Sequence, residues 1–539
     1  MASATNSRTH DSLPMSRIPA RVVIGVTGHR TLSGTAELTN AIRSAIEQIR
    51  QMLPSLPKTP VGLTILTPLA EGADRLVARE VLSIPGSTME AILPMGKDEY
   101  LQDFQTSQSR AEFAELLSRA TTVRRLAFKG NPPESYEEVG RYVVDQCDVL
   151  IALWDGNQVR GQGGTAGVVQ YARETSCPLF WVDTEHPGQV TVERGHGIDA
   201  RSFQDIDEYN SERIDITKLD STLQHQHDAL IHQVDNAGLT PEVVLPTLEY
   251  FGRHLVRADM LASRYQQRYQ RAGTTVYVLA AAAVVLAATQ IIFIPDKPRI
   301  LIGEVVFMIA VLGIVWIGRA RRWHEKWLDY RFLAERFRSA AFMAACDIDV
   351  AALRPPRHLS LAYSSHDWMV AAFFSVWNRR PILRGRDSPP MERLKSFLLR
   401  AWIEDQIGYQ DKVSKRQHGQ HQLMSRVTDT LFGLTLLAAL LHVADFGPHT
   451  LKNALAAMVI AFPAAAASVA GIRTHGDYLR KSMRSAEMAR HLTEIRDRIE
   501  REKERESFLK LVGETEEMML RENEDWRVTV RFHTPELPV

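Results

Sequence analysis

Cysteine is almost missing from this chain. Cys147, Cys177 and Cys346 are the only three in 539 residues, and none share a metal-type or disulfide-type spacing. That excludes a disulfide scaffold and a Cys/His metal centre, and it favours a reducing, cytosolic setting for the water-soluble parts. Net charge is missing too: 64 Lys and Arg balance 64 Asp and Glu, so no global field draws in nucleic acid. The opening MASATNSRTHDSLPMSR lacks the apolar core of a signal peptide, and residues 1–20 are expected to be a disordered arm. No metal cofactor is expected, although a magnesium ion carried by a phosphate ligand stays open.

Regular alternation is present between Arg21 and Asp183. RVVIGVTG, GLTILTPLA, MEAILP, VRRLAF, VLIALW and PLFWV read as strands. AELTNAIRSAIEQIRQML, ADRLVAREVL, RAEFAELLSRA, YEEVGRYVVDQC and TAGVVQYARE read as helices. Continuously apolar strands between amphipathic helices predict an α/β fold, a Rossmann-like parallel sheet covered on both faces. Ligands of such sheets bind beyond the carboxyl ends of the strands.

Three of those ends carry polar, glycine-rich turns. The first gives Thr27, Gly28, His29 and Arg30, suited to close backbone approach and to hydrogen bonds with phosphate or sugar oxygens. The second gives Glu71, Gly72, Ala73 and Asp74 at a helix start, where N–H groups favour an anion and the carboxylates either accept ribose hydroxyls or cap the helix. The third gives Asp155, then Gly163, Gly164 and Thr165 opening the next helix, a possible anion nest. Each turn alone is an ordinary turn and cap. Convergence at one sheet edge predicts a small-molecule pocket.

Residues 184–246 are polar and poorly periodic, expected as a linker with some helix. From Thr247 a helix runs into the uncharged stretch Gly273–Ile294. PDKPR breaks it, and Ile300–Gly318 returns with Glu304 as its one charge. About 20 apolar residues cross a bilayer, so this is a transmembrane hairpin. A second follows: TLFGLTLLAALLHVA (Thr430–Ala444), the loop DFGPHT, and NALAAMVIAFPAAAASVAGI. The Thr430–Ala444 stretch is the shortest and leaves a buried soluble hairpin as the alternative there. Arg264, Arg268 and Arg271, then Arg319, Arg321, Arg322 and Lys326, flank the first pair. Lys412, Lys415, Arg416 and Arg426, then Arg473, Arg480 and Lys481, flank the second. Their excess over Lys297, Arg299 and Lys452 in the hairpin tips puts both termini and the sheet in the cytoplasm of a multi-pass membrane protein.

Each hairpin is followed by a charged helix, with Arg331, Glu335 and Arg338 in the first and Arg484, Glu487 and Arg490 in the second, spaced for ion pairing on one face. A whole unit therefore occurs twice, at 247–350 and 391–525, with a connector at 351–390 and a tail at 526–539. This points to duplication or assembly. Small residues in LAAAAVVLAA and FPAAAASVAG allow close helix packing.

The motifs VTGHR, LAEGADRLVARE, YLQDF with EFAELL, and ALWDG with GQGGTAGVV resemble the SLOG superfamily, Rossmann-like domains related to the cytokinin-activating LOG phosphoribohydrolases, DprA and the sensor region of TRPM channels. RADMLASRYQQRY with WLDYRFLAERFR, and WIEDQIGYQDK with DYLRKSMRSAEMARHL, resemble SLATT two-span effector domains. In the LOG pattern Gly-Gly-x-Gly-Thr-x-x-Glu, setting Thr165 on the threonine puts Val168 where the catalytic glutamate stands. The resemblance thus implies a site that receives a nucleotide without an evident catalytic residue. It further implies a homo-oligomeric membrane effector of a bacterial immune or stress pathway. A nucleotide-derived messenger, supplied by a separate messenger-producing enzyme, would bind the sheet and the spans would form a pore or disrupt the membrane. The alternative is a membrane-anchored nucleotide hydrolase or NAD-depleting enzyme. A transporter is disfavoured, since Glu304 is the one Asp, Glu, Lys or Arg embedded in the spans.

Overall fold

The computed structural model describes residues 16–126, 132–157, 164–193, 195, 200–348, 368–381 and 389–531, the side chains of 132, 133 and 523–531 excepted. The chain forms two compact units, Met1–Arg213 with Asp349–Arg384, and Ile214–Ile348 with Gly385–Val539.

The first unit begins with β1 (Ala20–Gly28), α1 (Thr35–Gln51), β2 (Val61–Thr67), α2 (Ala73–Leu82) and β3 (Thr88–Leu93). It continues with α3 (Ser107–Arg119), β4 (Thr122–Arg125), α4 (Pro132–Gln146), β5 (Val149–Trp154), α5 (Thr165–Glu174), β6 (Leu179–Asp183), β7 (Val190–Glu193) and α6 (Ala200–Ser211). The strand order is β4-β3-β2-β1-β5-β6-β7, with β1 to β6 parallel and β7 antiparallel on β6. The central strands are buried along their length because helices cover both faces. Val22, Ile24 and Val26 join one core layer with α1 and α2, while Val23 joins the other with α4 and α5, the two-residue period of a strand. The helix α1 buries Leu38, Ala41, Ile42, Ala45, Ile46 and Ile49, a stripe at helical spacing.

Two boundaries differ from expectation. The arm expected to reach residue 20 is already packed from Ser16, and Asn210 of α6 satisfies Ile18 twice, accepting from its N–H at 2.9 Å and donating to its carbonyl at 2.7 Å. The stretch 184–246, expected as a linker with some helix, holds β7, α6 and α7 (Ile216–Asn236) and the start of the next helix. Its polar residues conceal a few anchors: Ile206 and Tyr209 are fully buried, and Arg173 pins α5 to β7 through Glu193 at 2.7 and 2.9 Å.

The second unit takes in α7, then α8 (Pro241–Phe293), α9 (Ile302–Ala320) and α10 (Trp323–Ala345). At about 1.5 Å per residue α8 is about 80 Å long, far beyond the ~30 Å apolar core of a bilayer. Its polar half packs on α10, where Asp259 accepts from Arg331 at 2.8 Å and the Tyr265 and Tyr330 rings lie 5.7 Å apart. The aromatic and charged motifs flanking the spans are thus the two faces of a helical stalk.

The chain then returns to the first unit for α11 (Trp368–Trp377), inside the expected connector. WMVAAFFSVW is too short to span and is buried in that unit. Ser375 Oγ donates to the Pro19 carbonyl at 2.5 Å, and the tilted rings of Tyr209 and Trp368 lie 5.7 Å apart. Asn378, just beyond, donates to Glu90, which also pairs with Arg21.

The second hairpin repeats the first. It comprises α12 (Met391–Leu398), a π-turn (Leu399–Glu404), α13 (Asp405–Val443), α14 (His449–Gly476), α15 (Tyr478–Arg501) and α16 (Arg505–Arg531). The helix α15 folds back along α13, as α10 does along α8. In both repeats the reversal turns on a residue in the left-handed region, Arg322 (φ 51°) and Asp477 (φ 50°). Lys395 caps the end of α15, donating to the Glu502 carbonyl at 2.7 Å.

Among the described residues, four helices are long and apolar enough to cross a membrane. Their most apolar windows are at most 22 % buried, and Trp316, Phe432 and Val443 are exposed by 70, 69 and 85 %. Apolar surface of that extent marks a membrane or protein contact surface. The most apolar window of the Met391–Val443 span has the lowest mean hydropathy of the four, 1.3 against 2.1 to 2.7, consistent with the short Thr430–Ala444 run.

Candidate functional site

Strand order reverses between β1 and β5, so the crevice beyond their carboxyl ends is the switch point of the sheet. Gly28 and Leu153 are the last pair of that register, and the His29 N–H donates to the Leu153 carbonyl at 3.1 Å. His29 Nε2 lies 3.2 Å from both the Asp155 carboxylate and its backbone N–H. Asp155 also accepts from the Asn157 N–H at 3.0 Å, and these contacts, Asn157 first, pull its pKa down to about 2. It is a fixed anion at neutral pH.

The β2–α2 turn folds onto this pair. Gly72 has φ 78°, and a β-carbon there would overlap the carbonyls of His29 and Arg30. One on Gly28 would overlap Ala73 and Leu153, so both glycines are set by close backbone approach. The Ala73 N–H donates to the His29 carbonyl at 3.1 Å, closing the two turns on each other. Leu69 sits at φ 60°, strained for a branched residue. It is held by its N–H on Thr67 Oγ1 at 3.0 Å and by its carbonyl, which accepts from Arg75 Nε at 3.2 Å. Such strain persists only where surroundings over-determine it, and it clusters at ligand sites.

The two carboxylates of this turn face inward. Asp74 is buried and accepts from the Ala70 N–H at 3.1 Å; burial raises its pKa to about 7 against the opposing pull of Ala70, Thr67, Arg30 and Arg75. Glu71 accepts from Ser109 Oγ, and Ser109 also accepts from Arg75 at 2.9 Å. Both shape the turn.

Arg30 is the cation exposed at this edge, 48 % accessible, 5.3 Å over the Tyr136 ring and 3.9 Å from Asp103. Asp103 also accepts from the Tyr136 hydroxyl, and burial with this bond pushes the phenol to about 12. Tyr136 and Asp103 were absent from the sequence candidates, although YLQDF, quoted for the resemblance, contains Tyr100, Asp103 and Phe104. Across β5, Trp154 and Trp181 lie 5.6 Å apart, with the Trp181 indole donating to the Trp154 carbonyl at 2.8 Å.

Gly164 and Thr165 open α5, whose first N–H groups have no acceptor within the helix. Gly163 lies outside the described residues. Thr27, Gly28, His29, Arg30, Gly72, Ala73, Asp74 and Asp155 come together, with Glu71 turned to α3. Val168, at the position of the family's glutamate, is buried in the core against Gly140, where a β-carbon would overlap its methyl. Among the described residues no group of three or more His, Cys, Asp or Glu is placed to hold a metal.

No curated protein matches the chain. Residues 399–526 match the model of SLATT_1, the SMODS and SLOG-associating 2TM effector domain 1. The match opens at the π-turn and runs through the second hairpin into α16. A SLATT_1 domain thus follows, in one chain, a Rossmann-like sheet whose switch point is built from His29, Asp155 and the Gly72 turn.

Proposed function

We propose that the protein is a membrane effector of a bacterial immune or stress pathway, that its switch-point crevice receives a nucleotide-derived messenger made by another enzyme, and that binding alters the spans so that the bilayer becomes permeable. The observation that carries this reading is the crevice itself: three turns joined through His29, Asp155 and Gly72, with Arg30 exposed and the N-terminus of α5 beside β5. Backbone N–H groups, a guanidinium and close-approach glycines are the chemistry of a phosphate-bearing ligand.

The inward turn of Glu71 and Asp74 and the burial of Val168 favour a receiver over a hydrolase. The SLATT_1 match supports the effector role. Connectivity supports coupling: α11 belongs to the sheet unit, while the chain on either side of it leads into one hairpin and then the other. A ligand shifts such an equilibrium only by its differential affinity for the two states. Homo-oligomerisation of the spans, or rotation within an existing oligomer, is the two-state element, with both termini cytoplasmic by the positive-inside rule.

The test is a thermal-shift panel of nucleotides on the full chain in detergent, with each compound followed by chromatography, then dye release from liposomes. The expected result is stabilisation by one compound recovered intact, lost in Arg30→Ala, together with ligand-dependent release. Consumption of the compound would establish an enzyme instead.

A further inference from the structure

A cavity of about 1180 Å³ opens in the second unit at the basic ends of the spans, where α8, α9, α10, α14 and α15 diverge. Its wall is of two kinds. Gly273, Val276, Ile314 and Gly318 form an apolar side continuous with the apolar stretches of α8 and α9. The other side carries five cationic side chains, Arg319, Arg322, Arg473, Arg480 and Lys481, against two carboxylates, Glu325 and Asp477.

Several of these groups are held in place. Arg473 donates to Ser425 at 2.6 Å, and Lys481 donates to the Gly476 carbonyl at 2.7 Å, its ammonium 5.6 Å from the Trp327 ring centre. Arg480 and Arg322 bond to Asp477 at 3.2 Å and Glu325 at 2.6 Å, so each acid is already engaged. The His475 ring lies tilted against Tyr269, centroids 4.6 Å apart. Its Nε2 and the indole N–H of Trp323 are buried without a hydrogen-bond partner, and both residues line this cavity. Buried polar atoms of this kind call for a polar guest.

We propose that this cavity binds an anionic phospholipid, its phosphate against Arg473, Lys481 and the indole N–H of Trp323, its acyl chains along Gly273, Val276 and Gly318. Basic pockets between spans at the membrane surface suit phosphate head groups, and tyrosine and tryptophan suit the same depth. The proposal rests on the reading of the four helices as membrane spans.

The experiment uses the full chain, first co-floated with liposomes and then extracted for native mass spectrometry with phosphatidylglycerol or phosphatidylcholine of equal chain length. The expected result is retention of phosphatidylglycerol at least fivefold above phosphatidylcholine, falling at least fivefold in Arg473→Gln/Lys481→Gln and also in Arg480→Gln, whose side chain is 49 % exposed. The exposed control Arg490→Gln keeps wild-type retention. Equal retention of the two lipids, or unchanged retention in the variants, would overturn the proposal. So would displacement by inorganic pyrophosphate with no lipid preference, which would identify a soluble anion as the guest. Failure to co-float would instead remove the membrane reading itself.

Discussion

The imidazole of His475 on α14 lies against the backbone of α8 at Gly273, where any β-carbon would overlap it. The relation is reciprocal: one helical turn further along, Gly471 of α14 leaves room for the ring of Tyr277 on α8. Glycine on each helix faces an aromatic ring on the other, which lets the two hairpins pack through α8 and α14. Overpacking a tight contact costs about 1–3 kcal/mol. Gly471→Leu is therefore expected to lower the melting temperature of the detergent-solubilised chain, whereas Gly433→Leu, at a position with open space around it, leaves it unchanged.

Asp74 gives the sheet unit a pH signature. Its pKa is raised from the ordinary 3.8 to about 7, so the folded chain holds a proton that the unfolded chain releases above about pH 4. Stability from this group is complete below about pH 4, falls as pH rises towards 7 and levels off above. Asp74→Asn keeps an acceptor for the Ala70 N–H and removes the titration. The variant should melt higher than wild type at pH 8, with the difference fading towards pH 4. A pH-independent difference in melting temperature would refute the assignment.

Arg21 and Glu90 form a pair that is 8 and 9 % accessible, and Asn378 donates to the same carboxylate. Removing one partner of a buried pair costs about 3–5 kcal/mol, while replacing both by apolar residues is often neutral. Glu90→Ala should sharply lower the unfolding transition reported by Trp368 and Trp377, and Arg21→Met/Glu90→Met should recover most of the loss. Equal losses in the two variants would show that no such pair operates.

A fragment of residues 21–183 should not stay soluble. It lacks β7, α6 and α11, whose Phe203, Ile206, Tyr209, Phe373 and Trp377 are buried in the first unit, so the apolar residues they cover would meet water. Each large apolar side chain so uncovered forfeits roughly 1.5–3 kcal/mol. Extending the fragment to residue 213 and joining residues 368–384 through a flexible linker should give a soluble, cooperatively melting protein. Gel filtration and thermal melting decide between the two.

Much of this molecule was legible in its sequence. Period-two and unbroken apolar runs marked all six parallel strands, since a strand buried on both faces tolerates few polar residues. Uncharged stretches of bilayer length marked the hairpins. The glycines of VTGHR and LAEGAD marked two of the three turns, because a position that lacks room for a β-carbon accepts nothing else. Other features were hidden. The run WMVAAFFSVW carries no sign of which element it covers, and Ile206 and Tyr209 are lost in a polar stretch. Cys147 and Cys177 stand 30 residues apart in sequence and 3.7 Å apart in space, a pairing spacing alone does not reveal.

The sequence by itself determined the α/β sheet, the two hairpins and the turns that could meet a ligand, because these follow from local periodicity, length and backbone permissiveness. Tertiary structure alone decided how those residues are used. Glu71 and Asp74 face inward and Arg30 outward because Ser109, Ala70, Asp103 and Tyr136 sit where they do. His475 lines a cavity only because α8 carries a glycine opposite it. Side-chain direction is set by partners distant in the chain, and no local pattern encodes them.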